Sequence, residues 1–179
     1  MPETLIIALL TICGSGVVSA YVTHKLNQNE AERRLRLEKL EKLHTCVYEY
    51  CRMMFALNAS WLGVMKGDYD YNRGLDMIEE TRTETDNEQF RGAEMLVSIY
   101  FPSLKIYWQR IIAHRDKINI AVGAFREDYK KNGPRPEHRQ YMKPLSALLE
   151  GIDGVEEEFK QQLFSVAERY SEKRLLLPD

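Results

Sequence analysis

The chain has 179 residues and a formal net charge of −2, from 25 Lys and Arg against 27 Asp and Glu. So balanced a charge provides no general electrostatic pull toward nucleic acid, and no nucleic-acid partner is expected. Ten glycines and six prolines fall at discrete points between long runs of Glu, Lys, Arg, Leu and Ala, which excludes a low-complexity chain and predicts an all-α fold.

The first element is Thr4–Thr23, which contains no charged residue. As a helix it would rise about 30 Å, the thickness of a bilayer's hydrocarbon core. Three fates compete for it: a retained membrane anchor, a cleaved export signal and a buried core helix. Val18-Ser19-Ala20 has the small residues of a signal-peptidase site. A signal peptide, however, carries basic charge before its apolar stretch, and here Glu3 precedes while Lys25, Arg33, Arg34, Arg36, Lys39 and Lys42 follow. The positive-inside rule then places the downstream chain in the cytoplasm, with a very short N-terminus outside. The expectation is a single-pass transmembrane helix of a cell inner membrane, over residues 1–24. Gly16 and Ala20 are four apart, and Ser15 and Ser19 form a parallel row. Small residues so spaced let two spans approach closely, which predicts self-association or pairing with another span. Lipid-facing chance is the competing reading.

Beyond the span, a continuous helix is expected from Lys25 to about Lys66. Leu40, Leu43, Val47, Tyr50, Met54, Leu57 and Trp61 alternate spacings of three and four, so they share one face. Upstream the equivalent positions hold Arg33 and Arg36, so residues 25–37 read as a solvated helical stalk and 38–179 as a cytoplasmic four-helix bundle. A turn at Gly67–Asn72 leads to a second helix ending near Phe101, where Pro102 stops it. A third helix carries Trp108, Ile111, Ile118, Val122 and Phe125, and Asn132-Gly133-Pro134 ends it. A basic connector, which could bind an acidic partner but reads more simply as a solvated loop, precedes a fourth helix running from Leu145 to Tyr170. Short connections make sequential helices antiparallel neighbours, in up-down order. Leu175–Leu177 would lie near the base of the bundle.

Chemistry-bearing patterns are few. Asp68, Asp70, Asn72, Asp76 and Glu79 occupy calcium-loop positions of an EF-hand. The sixth position, which wants Gly, is Arg73, and no second loop exists, so an acidic helix-to-helix turn with a capping Asp is the stronger reading. Glu41-x-x-His44 has the spacing of a di-iron ligand pair but lacks its counterpart, since Ile111 stands before His114. Cys46 and Cys51 lie five apart on one helix and read as packing residues. No phosphate loop, nucleophile elbow or zinc spacing occurs, so no cofactor and no enzymatic role is expected. Asn58, Arg82, Gln89 and Arg115 fall at seam positions and suggest a polar layer in the bundle, with an acid approaching Arg115; outward snorkelling is the alternative. Together these readings predict a membrane-anchored helical interaction module, an adaptor, scaffold or accessory subunit. The alternative is a tethered sensor whose Asp68–Glu79 loop binds an ion or ligand.

Overall fold

A computed structural model describes residues 2–82 and 86–172, with side chains described at residues 21, 23–82 and 87–170. Regular structure is helical throughout, and no strand occurs among the described residues. The elements are α1 (Pro2–Lys66), α2 (Tyr71–Thr81), α3 (Asp86–Ile99), α4 (Lys105–Asn132) and α5 (Met142–Glu172). Single 3-10 turns at Pro102–Leu104 and Pro136–Tyr141 precede α4 and α5. The chain divides into two compact units, Met1–Glu38 and Lys39–Asp179.

In the first unit the described side chains are almost all exposed. Arg34 pairs with Glu30 at 2.7 Å and Arg36 with Glu32 at 2.8 Å, each one helical turn back. Such pairs support a solvated helix by roughly 0.3–0.5 kcal/mol each. Over the described residues no helix is long and apolar enough to cross a membrane. The expected span, and with it Ser15, Gly16, Ser19 and Ala20, lies outside the described side chains apart from Tyr21 and Thr23.

The second unit is built on the seam of α1. Leu40, Leu43, Val47, Tyr50, Met54 and Trp61 are all buried, because the three-four spacing keeps them on one stripe. Leu57 alone of that seam is half-exposed. Helix α4 buries Trp108, Ile111, Ile118, Val122 and Phe125 against it. Helix α5 contributes Leu145, Leu149, Ile152, Phe159, Leu163 and Val166. Ring contacts give the directions. Tyr50 meets Trp108 and Trp61 meets Phe125, so α1 and α4 run the same way. Tyr50 also meets Phe90, and Trp61 meets Tyr71, so α2 and α3 run opposite to α1. His44 stacks on Phe164 of α5, which also runs opposite.

The second arm departs from expectation. It is not one helix from the Gly67 turn to Phe101 but two, α2 and α3. Arg82 ends α2 in an extended conformation, φ −69° and ψ 128°, while its backbone N–H still reaches Ile78 O. Thr81, the last residue of α2, donates its hydroxyl back to Met77 O at 2.7 Å. The basic connector departs too. Its 3-10 turn carries His138, which is buried to 2% exposure and anchors a stretch whose other residues are exposed or half-exposed.

The turns follow glycine chemistry. Gly67 (φ +88°) and Gly133 (φ +64°) are the positive-φ residues found among the described residues. Gly133 N–H closes α4 on Tyr129 O at 2.9 Å. Past Gly67, Tyr69 folds back and donates its hydroxyl to Ser60 O at 2.6 Å.

Phe125 is fully buried and touches Trp61, Tyr129, His138 and Tyr141. Phe125→Ala is expected to lower the unfolding free energy by ~3–5 kcal/mol in a denaturant titration, as for large-to-small changes in a close-packed core.

Candidate functional site

Three helices leave a groove between them on the second unit. Its volume is about 730 Å³. Leu57, Asn58 and Trp61 of α1 form one wall, and Leu75, Ile78, Glu79 and Arg82 of α2 another. Asn119, Val122, Gly123 and Arg126 of α4 form the third. Each set follows helical spacing, so each helix presents one stripe to the opening. The groove also accounts for the half-exposure of Leu57, which faces it instead of a packed neighbour.

Of the four residues expected to form a polar layer, the structure brings together two. Asn58 and Arg82 line this groove. Asn58 donates its side-chain amide back to Met54 O at 2.8 Å, and Arg82 is exposed. Arg115 lies elsewhere, half-buried, with its guanidinium 5.5 Å over the Phe90 ring. It donates to Asp116 at 2.7 and 3.0 Å and to the Tyr50 hydroxyl at 3.5 Å. The acid beside Arg115 is its own chain neighbour, Asp116. Gln89 is half-exposed on α3 beside Phe90. These four residues do not form one layer.

Arg126 is the groove residue that seam reading passed over. Its Nε donates to the Tyr71 hydroxyl at 3.0 Å, and its guanidinium sits 5.5 Å over the Trp61 ring. The signal was available: Asn119, Gly123 and Arg126 are spaced as one stripe beside the α4 seam, and only their lack of hydrophobicity hid them.

A second polar assembly closes the corner between α4 and α5. Asp128 accepts from Asn132 at 2.6 Å, from Arg135 at 2.5 Å and from the Tyr141 hydroxyl at 3.2 Å. The Arg135 guanidinium, above all, holds this carboxyl down at about 2. Burial and the same carboxylate push the Tyr141 hydroxyl up. His138 stacks on Tyr129 and meets Phe125 edge-on. Its Nε2 stands 3.7 Å from Asp128, beyond hydrogen-bond reach. With donors on three sides, Asp128 acts as a structural acceptor that ties the 3-10 turn to α4.

The Asp68–Glu79 stretch does not form a calcium loop. Helix α2 begins at Tyr71, so Asn72, Asp76 and Glu79 are helical. Asp70 is the N-cap, accepting from Arg73 N–H at 2.8 Å. Asp68 pairs with Lys66 and Arg73 with Glu80. No group of three or more His, Cys, Asp or Glu that could hold a metal occurs among the described residues. His44 faces Phe164, and His114 bonds the Leu148 carbonyl at 2.7 Å, close against Gly151. Cys46 and Cys51 are buried and free. Burial, with Glu156 and Asp153 nearby, drives the Cys51 thiol up to about 12, and burial raises Cys46 despite Lys42. Both are poor nucleophiles in the folded chain.

Searched against protein-family models, curated proteins and solved structures, the chain matches none of them.

Two outcomes follow from these electrostatics. Asp128 ionises at lower pH folded than the ~3.9 of an unperturbed aspartate, so its contribution is complete above pH ~4 and is lost as pH falls toward 2. Acid unfolding of Asp128→Asn is expected to be less steep across that window than that of the parent chain, read by circular dichroism. In a Cys13→Ser background, Cys46 and Cys51 are expected to resist maleimide at pH 7 until denaturant is added. Labelling of the folded chain at the rate of a free thiol would contradict their burial.

Proposed function

We infer that the chain is a single-span, membrane-anchored helical interaction module. Its second unit faces the cytoplasm and binds protein partners as an adaptor, scaffold or accessory subunit of a membrane complex. It carries out no chemistry of its own. The observation that carries this reading is the uncharged stretch Thr4–Thr23, followed by a cation-rich segment on a helix, α1, that runs without interruption from Pro2 to Lys66. A helix closes its own backbone hydrogen bonds, which is what a bilayer demands. The four arms of the second unit then form an antiparallel up-down bundle on the cytoplasmic side, with residues 25–37 as stalk.

Surface composition supports the interaction part of the reading. Met95 and Ile99, one helical turn apart on α3, are 49% and 65% exposed. Tyr48 and Phe55 lie on one face of α1 and are likewise exposed. Large apolar groups exposed side by side are the kind of surface that protein contacts cover when they join into a contiguous patch. Within the bilayer, Gly16 and Ala20, with Ser15 and Ser19 beside them, are the residues through which spans would pair.

Membrane fractionation tests the anchor directly. The full-length chain is expected to stay in the pellet after alkaline carbonate extraction, with a tag after Asp179 open to protease only when the cytoplasmic side is exposed. Recovery in the soluble fraction, or a mature chain beginning after Ala20, would remove the reading. Gly16→Leu is expected to reduce cross-linked dimers in membranes, whereas unchanged cross-linking would remove the pairing.

A further inference from the structure

We propose that the groove between α1, α2 and α4 is a binding site for a small amphiphilic anion, with one carboxylate or phosphate head on an apolar body. The inference is independent of where in the cell the chain resides, because it rests on residues of the second unit alone.

Size comes first. A cavity of about 730 Å³ falls inside the range of roughly 300–1,000 Å³ typical of small-molecule sites. Its depth has a local cause at Gly123. A Cβ built on that residue would meet nothing within 4 Å, so the opening reaches down to the α4 backbone. Glycine in mid-helix costs roughly 1 kcal/mol relative to alanine. Helix stability therefore argues against a glycine here, and so does packing, since no neighbour crowds the position; an open floor is what it provides.

The chemistry of the walls gives the ligand class. Trp61, Leu75, Ile78 and Val122 supply apolar surface. Arg82 and Arg126 supply two guanidinium groups against the single carboxylate of Glu79. Arg126 is oriented in advance. Tyr71 takes its Nε–H at 3.0 Å, and its Cζ lies over the Trp61 ring, 5.5 Å from the centroid. Its two terminal nitrogens bond no acceptor among the described residues. A planar fork held this way matches the paired oxygens of a carboxylate or phosphate. Asn119 adds an amide on the same wall. Glu79 repels an anionic head and so directs it toward the arginines, leaving the apolar body to lie along α2.

The test uses the full-length chain in nanodiscs of neutral phospholipid, or in buffer should it fractionate as soluble. Octanoate, octyl phosphate, octylammonium and inorganic phosphate are titrated below their aggregation limits, with tryptophan fluorescence as readout. Trp61 lines the groove and Trp108, the other tryptophan, is buried beside Tyr50. Saturable change is expected with octanoate or octyl phosphate and not with octylammonium. Preference between the two anions assigns a fatty-acid or a phospholipid-like source. Binding of inorganic phosphate as tight as octyl phosphate would overturn the amphiphile. Gly123→Leu puts a side chain into the opening at a position where a Cβ meets nothing within 4 Å, and is expected to weaken binding at least about tenfold without lowering the melting temperature. Arg126→Gln is expected to weaken it by about tenfold, the loss of a bidentate charge-assisted pair. No saturable anion response, or one unchanged by Gly123→Leu, would overturn the proposal. So would a co-purifying protein lost in Gly123→Leu when anions have no effect, which would make the groove a protein contact.

Discussion

Two levels of aromatic contact hold the second unit together, and both start on α1. At one level Tyr50 lies between Phe90 of α3 and Trp108 of α4, with ring centroids 5.4 and 5.6 Å away. At the other, three turns along, Trp61 meets Tyr71 of α2 and Phe125 of α4. Each level joins three helices at once, so it fixes their relative heights as well as their spacing. Phe125 then extends the second level to His138 and Tyr141, which brings the start of α5 under the same constraint. Rings of this size carry much of a core's buried area, and tilted or edge-on geometry adds a preference for one arrangement. Moving any arm by a helical turn would break both levels together.

That rigid frame decides what the polar seam residues do. Arg115 follows the seam spacing of Ile111 and Ile118 yet is not driven into the core. Its long stem stays among the rings while its guanidinium turns onto Phe90 and Asp116, as a snorkelling side chain does. Asn58 settles on the backbone of its own helix. Arg82 is released altogether, because α2 ends there. The break between α2 and α3 falls beside the groove, which Arg82 lines.

Much of this fold was legible in residue spacing. The α1 and α4 seams and the stop at Pro102 follow from the periods of apolar residues and from proline chemistry, since burial and steric exclusion act locally. The break at Arg82 was less legible, because a period counts positions and does not show where a helix is capped. The Asp128 corner was hidden for a different reason. Arg135, His138 and Tyr141 sit in a stretch whose basic, proline-rich composition resembles solvated loop, and only a fixed neighbour, the α4 terminus, turns those residues inward. The calcium-like spacing misled in the reverse sense: alternate acids are a property of the sequence, but Asp70 uses its carboxylate to cap α2 and so starts a helix where a loop would be needed.

The two most strongly displaced ionisations lie away from the groove. Groups with strongly shifted protonation are the usual mark of a reacting site. Here they are Asp128, saturated with donors at a packed corner, and Cys51, a thiol deep in the α1–α5 contact region near Glu156 and Asp153. Neither lines the groove. What the groove offers instead is apolar surface, two amides, one carboxylate and a guanidinium already stacked on an indole. Such a set can hold and discriminate by charge and shape. Because Trp61 both supports Arg126 and packs on Phe125, a head group drawn to that arginine would bear on the same aromatic level that sets the heights of α1, α2 and α4. A ligand in the groove would thus bear on the packing of the bundle through one side chain, Trp61.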